Sequence, residues 1–155
     1  MKIAVIKIRG DIGLSKKIKD TQAMFRLYRK NSCVVVEGNP NYIGMVDVLK
    51  DYVTWGEITE ETFKILLQKR GKIVGSKPLT ENYLKEKTSM GYDEFAKSFF
   101  SGKIKLKDVP GLKPYFRLCP PVGGFDRGGV KKTFSMGGVL GYRKDKINDL
   151  IKKMV

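Results

Sequence analysis

Lys2-Ile3-Ala4-Val5-Ile6-Lys7-Ile8, followed by Arg9-Gly10-Asp11-Ile12-Gly13, is the stretch that decides the fold. Its first part is a compact apolar run rich in β-branched side chains, which favours a strand, and its second part breaks that strand. A helical pattern follows from about residue 15 to residue 30. Ile18, Thr21, Phe25 and Tyr28 recur at spacings of three or four, and Ser15 is placed to cap the helix. Cys33-Val34-Val35-Val36 is a second short apolar run. A second helical pattern covers about residues 41–52, with Tyr42, Met45, Val46, Leu49 and Val53 on one stripe and Asn39-Pro40-Asn41 at its start. Val53-Thr54-Trp55 closes the unit. Short strands alternating with helices of this length predict β-α-β units around one layered core. Residues 1–58 are therefore expected to form a scaffold.

Working outward, Thr59-Glu60-Glu61 has the caps and charges of a helix start. Lys69-Arg70-Gly71 has those of its end, and Phe63, Leu66, Leu67 and Arg70 are positioned to dock on the scaffold. Two shorter helices are expected from Thr80 to Lys87 and from Tyr92 to Phe100. Their phenylalanines Phe95, Phe99 and Phe100 read as core. Lys103-Ile104-Lys105-Leu106-Lys107 alternates strictly and predicts an edge strand or extended arm. Tyr115-Phe116-Arg117-Leu118-Cys119 predicts another short extended run, halted by Pro120-Pro121. A glycine-rich loop occupies about residues 120–141. At the end, Ile147, Leu150, Ile151 and Met154 make a clean amphipathic stripe that must bury, so the last helix is expected to pack back on the body.

The formal charge is +15, from 31 basic and 16 acidic residues. It is unevenly spread: residues 1–58 carry 10 basic and 6 acidic side chains (+4), and residues 59–155 carry 21 and 10 (+11). Such a field attracts polyanions and opposes self-association. Solubility alone would be a blander reason, but either sign of charge serves it. There is no histidine, which removes Ser-His-Asp triads, Cys-His dyads and histidine-ligated metals at once. The two cysteines, Cys33 and Cys119, form no C-x-x-C and suit a reducing compartment. No apolar run approaches the roughly 20 residues needed to span a bilayer, and no signal peptide is read. A cytoplasmic protein without metal, cofactor or catalytic residues is expected.

The loop from Gly123 to Thr133 brushes against a phosphate-binding loop, since Gly123 and Gly128 have the right separation. That motif needs Gly-Lys-Ser/Thr consecutively, after a strand and before a helix, and Gly129-Val130 intervenes here. The better reading is a glycine-rich loop laid against RNA, with Arg127, Lys131 and Lys132 neutralising phosphates and Phe125 and Phe134 stacking or anchoring. A plain surface loop is the alternative, and both readings make it mobile without a partner. A second patch is the loop of Arg9 with Gly10 and Gly13, where Lys16 and Lys17 open a helix whose amides attract phosphate; a solvated turn is its bland counterpart. Arg29, Lys30, Asn41 and Arg143 complete the expected RNA contacts. The Lys/Arg-Gly-Phe/Tyr-Gly/Ala-Phe signature of an aromatic RNA-binding sheet is absent.

Lys7-Ile8-Arg9-Gly10-Asp11-Ile12-Gly13, then Lys16-Lys17, Thr21, Phe25, Leu27 and Asn31, then Asn39-Pro40-Asn41-Tyr42-Ile43-Gly44-Met45, Val48 and Val53, resemble ribosomal protein thirty of the large subunit. Bacterial members are similar to about the first 57 residues. Lys113-Pro114, Leu118, Pro120-Pro121, the Gly123–Gly129 loop, Gly137-Gly138 and Gly141-Tyr142-Arg143 with Ile147-Asn148 and Leu150-Ile151 resemble the long archaeal and eukaryotic form. The resemblance implies an α+β fold: a β-α-β-α-β, ferredoxin-like core with an antiparallel sheet, plus a mostly helical, basic C-terminal extension. It implies a structural role on large-subunit rRNA, near 5S rRNA and neighbouring ribosomal proteins. One departure is Gln22, where short forms often carry leucine beside the threonine. Three functions compete: a structural ribosomal protein, a free-standing RNA-binding regulator or chaperone, and a phosphate-ester enzyme using the glycine loop.

Overall fold

A computed structural model describes all residues from Met1 to Val155. Five strands form one sheet: β1 (Lys2–Lys7), β2 (Ser32–Glu37), β3 (Val53–Glu57), β4 (Phe116–Arg117) and β5 (Gly141–Tyr142), in the order β4-β2-β1-β3-β5. β1 pairs antiparallel with both β2 and β3, and β4 pairs antiparallel with β2. Only β5 lies parallel to its neighbour β3. The architecture is α+β with the antiparallel β-α-β-α-β core that the resemblance implies, widened at both edges by strands from later in the chain.

All six residues of β1 are buried. A continuous apolar run of this kind belongs to a strand covered on both faces. Val5, with Val34 and Val53 from the flanking strands, packs against Phe25, Leu27, Val46 and Leu49. Phe25 and Leu27 come from the turn that closes α1 (Lys16–Met24), and Val46 and Leu49 from α2 (Pro40–Val48) and its C-cap. Ala4, Ile6, Cys33 and Val35 point the other way, toward α3 (Glu60–Arg70), α5 (Tyr92–Phe100) and α6 (Ile147–Met154). Between α3 and α5 lies α4 (Glu81–Thr88), which adds Leu84 to this second layer. Phe63 stacks on Phe99 with ring centroids 4.5 Å apart, and Phe116 meets Phe63 edge-on. Of the phenylalanines read as core, Phe95 and Phe99 are buried and Phe100 is half-buried against them.

The last helix docks as its stripe requires. Ile147, Leu150, Ile151 and Met154 are all buried. Burying each is worth about 1.5–3 kcal/mol, which outweighs any single cap or surface ion pair. Gly56 in β3 permits the approach: a Cβ there would fall on the carbonyl oxygen of Lys144, in the turn that leads into α6. Asn148 then ties α6 to the sheet, donating to Glu57 O at 3.0 Å and accepting from Thr59 N at 3.0 Å.

Two local expectations differ from the structure. The first helix stops at Met24, not near residue 30. Arg26 adopts φ 59°, its N–H bonds Ala23 O and the Leu27 N–H bonds Gln22 O, both at 2.9 Å. This is the paired C-terminal closure that usually uses glycine. The buried position is accordingly Gln22 and not Thr21, while Tyr28 is 57% exposed. Second, residues 103–107 form no strand. Leu106 is buried and opens a short 3-10 turn to Asp108, whose carboxylate accepts the Lys105 N–H at 2.7 Å.

Gln22 has a polar partner inside the sheet. Lys7, 1% exposed, donates through Nζ to Gln22 Oε1 at 2.8 Å, to Leu27 O at 2.9 Å and to Asp11. Glutamine at this position therefore belongs with a lysine at the end of β1. Removing one member leaves a buried charge or acceptor short of a partner, at about 1–3 kcal/mol. Lys7→Met and Gln22→Leu should each lower urea-unfolding stability by about that much, and the double variant should recover part of the sum. Strictly additive losses would show that the two side chains are not coupled.

Candidate nucleic-acid interface

Strand register gathers several loops at one end of the sheet. β1 leaves the sheet at Lys7, opposite Val53, where β3 begins. β2 begins at Ser32, one residue before the Cys33 that faces Ile6. β5 begins at Gly141, opposite Thr54. Residues 9–17, residues 29–31 and the chain leading into Gly141 thus share that end. Pro40, where α2 begins, follows the other end of β2, so Asn41 stands apart from this group.

Within the group, Gly10 and Lys30 approach closely: a Cβ on Gly10 would lie 3.0 Å from Lys30 Cε. Arg9 sits over the Tyr52 ring at 5.2 Å and donates to Asp51 O at 3.3 Å, so part of its donor set is already engaged. Lys16 and Lys17 are exposed at the first turn of α1, which contains no acidic residue. Helix amides and two cations therefore face solvent together, an arrangement that favours phosphate. Arg29 and Lys30 are exposed. Beside them, exposed Tyr28 meets Tyr115 edge-on, with centroids 6.3 Å apart. Sequence periodicity had assigned Tyr28 to the buried stripe and so missed this surface aromatic.

The glycine-rich loop is closed on itself rather than open. Gly128 N–H bonds Gly137 O at 2.9 Å, and the N–H groups of Val139 and Leu140 share Lys132 O. Gly138 is required there, because a Cβ would run into the Lys132 backbone. A 3-10 turn at Phe134–Met136 follows, and the next α-helix is α6, so the strand-loop-helix frame of a nucleotide-binding loop is not built. Arg127, Lys131 and Lys132 remain exposed on the loop. Phe125 packs against the core and Phe134 is half-buried, which makes both anchors.

Arg143 stands apart from the other expected contacts. It is 4% exposed, and its Nε and Nη2 donors are engaged inside the protein. Nε donates to Thr54 Oγ1 at 2.9 Å, and Nη2 donates to Asp126 Oδ2 and Val139 O, each at 3.0 Å. The guanidinium lies over the Phe134 ring at 4.7 Å. Burial lowers the Arg143 pKa, and the Asp126 carboxylate opposes that shift. The side chain clips the glycine loop to β3 and is not a surface cation.

The model of the family described as Ribosomal protein L30p/L7e matches residues 3–53, which is the unit from β1 to the start of β3. Relatives named large ribosomal subunit protein uL30 match far more. Those of Methanococcus maripaludis and Methanococcus vannielii are 51% and 52% identical over 155 residues, covering all of both chains. That of Methanopyrus kandleri is 46% identical over 149 residues, covering 96% of this chain and all of the relative.

The chain belongs to the uL30 family.

In this uL30 family member the likeness spans the glycine loop and α6 as well as the first β-α-β-α-β unit. No helix is long and apolar enough to cross a membrane. Arg143→Met should lower stability by about 1–3 kcal/mol, because Asp126, Thr54 and the Val139 carbonyl lose a shared donor. It should leave the salt dependence of RNA binding unchanged. Urea unfolding and salt-titrated filter binding check the two halves; an unaltered unfolding midpoint combined with a shallower salt slope would return Arg143 to the RNA surface.

Proposed function

We propose that this uL30 family member is a structural, non-catalytic constituent of the large ribosomal subunit that binds rRNA by charge and shape. The observation that carries the reading is the full-length likeness to large-subunit proteins at about half identity. The chemistry suits it: +15 of formal charge, several cationic loops at one end of a sheet, and lysines in excess of arginines. Lysine-rich surfaces hold phosphates as point charges more than they read base edges.

Residues 1–58 act as the scaffold and residues 59–155 as the basic extension that both covers it and reaches RNA. Arg9, Lys16, Lys17, Arg29 and Lys30 contact rRNA from one group of loops, Arg127, Lys131 and Lys132 from the glycine loop, and Asn41 from the other end of the sheet. The finer partners are 5S rRNA beside the large rRNA, and neighbouring ribosomal proteins, with the whole assembled in the cytoplasm. A free-standing RNA regulator would use the same surface, and nothing in the geometry favours it.

Sedimentation of cell extract separates the two: the chain should stay with large subunits through moderate salt washes, and a regulator would be found largely unbound. Neutralising Arg127, Lys131 and Lys132 together should weaken rRNA affinity and flatten its salt slope by about one unit per lost phosphate contact. Fold stability should be unaffected. An unchanged slope would mean that the loop faces away from RNA.

A further inference from the structure

Beyond the loops named above, a second cationic site lies at the β4 edge of the sheet. We propose that Arg70, Lys72, Lys113 and Arg117 form a seat for a single phosphate of the rRNA backbone. The proposal rests on the RNA-binding reading and assigns it a site.

Arg70 ends α3, where Gly71 must be glycine because a Cβ would fall on the carbonyl oxygen of Leu67. The chain then doubles back: Lys72 bridges to Pro78 and Ile73 to Leu112. Lys113 N–H bonds Lys72 O at 2.9 Å, and Val74 N–H bonds Gly111 O at 2.9 Å. Arg117 is held opposite Ser32 in the sheet. Four cations from two distant chain segments, residues 70–72 and 113–117, thus surround one small cavity of about 60 Å³, with Ser76 and Tyr115 completing its wall. That space is far below the roughly 300 Å³ at which small-molecule sites begin, and suits one tetrahedral oxyanion.

The site contains no carboxylate, and none of its four cations is in an ion pair, although Lys2, Lys7, Lys64, Lys85, Lys87 and Arg143 all find acids elsewhere. Lys113 Nζ has only Ser76 Oγ, at 3.1 Å. Arg70 Nη2 donates to Cys119 Sγ at 2.9 Å, while Arg70 Nε is buried with no hydrogen-bond partner. A buried, unpaired guanidinium N–H is costly, and like charges held in a partly dry pocket repel. An anion relieves both at once. Tyr115, in the wall, meets exposed Tyr28, the residue before Arg29 and Lys30, edge-on.

The test uses the full chain, inorganic phosphate and a large-subunit rRNA transcript. Titration with phosphate against chloride at equal ionic strength should shift the Arg70 Nε–H resonance in the ¹⁵N spectrum, and Lys113→Met with Arg117→Gln should abolish the shift. The same double variant should bind rRNA more weakly on the order of tenfold, with a salt slope lower by about one unit, as one lost phosphate contact requires. Lys85→Gln on α4 should change neither. Should the double variant unfold, Arg117→Gln alone, at an exposed position, should still weaken rRNA binding and lower the slope, by no more than about one unit. Wild-type rRNA affinity and slope in these variants, while the Arg127, Lys131 and Lys132 neutralisation loses both, would overturn the seat and leave the RNA-binding reading standing. A phosphate shift with no effect on rRNA binding would also overturn it, as an anion pocket unrelated to RNA. Failure of the unaltered chain to bind rRNA would remove the reading on which the seat rests.

Discussion

The strand Lys2–Lys7 is apolar on both faces, and a strand of that kind needs two hydrophobic covers. α1 and α2 supply one cover within the first part of the chain. The other comes from α3, α5 and α6, so the later residues are part of the core and not only a cationic reach toward RNA. Exposing Ala4, Ile6, Cys33 and Val35 would forfeit several kcal/mol of apolar burial. Cys33 makes the point chemically: full burial pushes its thiol pKa up to about 12, so at neutral pH it is a packing residue and not a nucleophile.

Once both faces are covered, charge is left with the ends and edges of the sheet. Loops at strand ends can carry lysines without desolvating them, which is where residues 9–17 and 29–31 fall. The cations that do enter the interior are paired and used structurally. Lys7 closes the turn after α1 through Gln22 and Leu27, and Arg143 clips the glycine loop to Thr54. Such side chains fix geometry because removing one leaves its partners unsatisfied. Arg70 is the exception, a half-buried guanidinium lacking an acid, and it stands in a cluster of other cations.

Much of the helical layout was legible. Thr59, Glu60, Glu61, Lys69, Arg70 and Gly71 mark α3 by cap and dipole, and Thr59 Oγ1 does accept the Thr62 N–H. Ile147, Leu150, Ile151 and Met154 mark α6 by spacing. The end of α1 was not legible, because Arg26 occupies a left-handed position where glycine is the usual sign. The alternation at residues 103–107 misled because Leu106 turns inward in a single helical turn. Arg143 looked like its basic neighbours in a glycine-rich context, and nothing local announces that Thr54, eighty-nine residues earlier, is its partner.

The sequence by itself determined most of the helices, the apolar first strand and the net positive field, since each follows from local spacing and from counts of side chains. It also excluded histidine chemistry outright. Only the tertiary structure decided which cations face solvent and which are internal, and which distant segments meet at the β4 edge. Those outcomes depend on long-range pairing: strand register brings residue 54 to residue 141 and residue 32 to residue 117, and a side chain's freedom to meet a phosphate depends on what that pairing sets beside it.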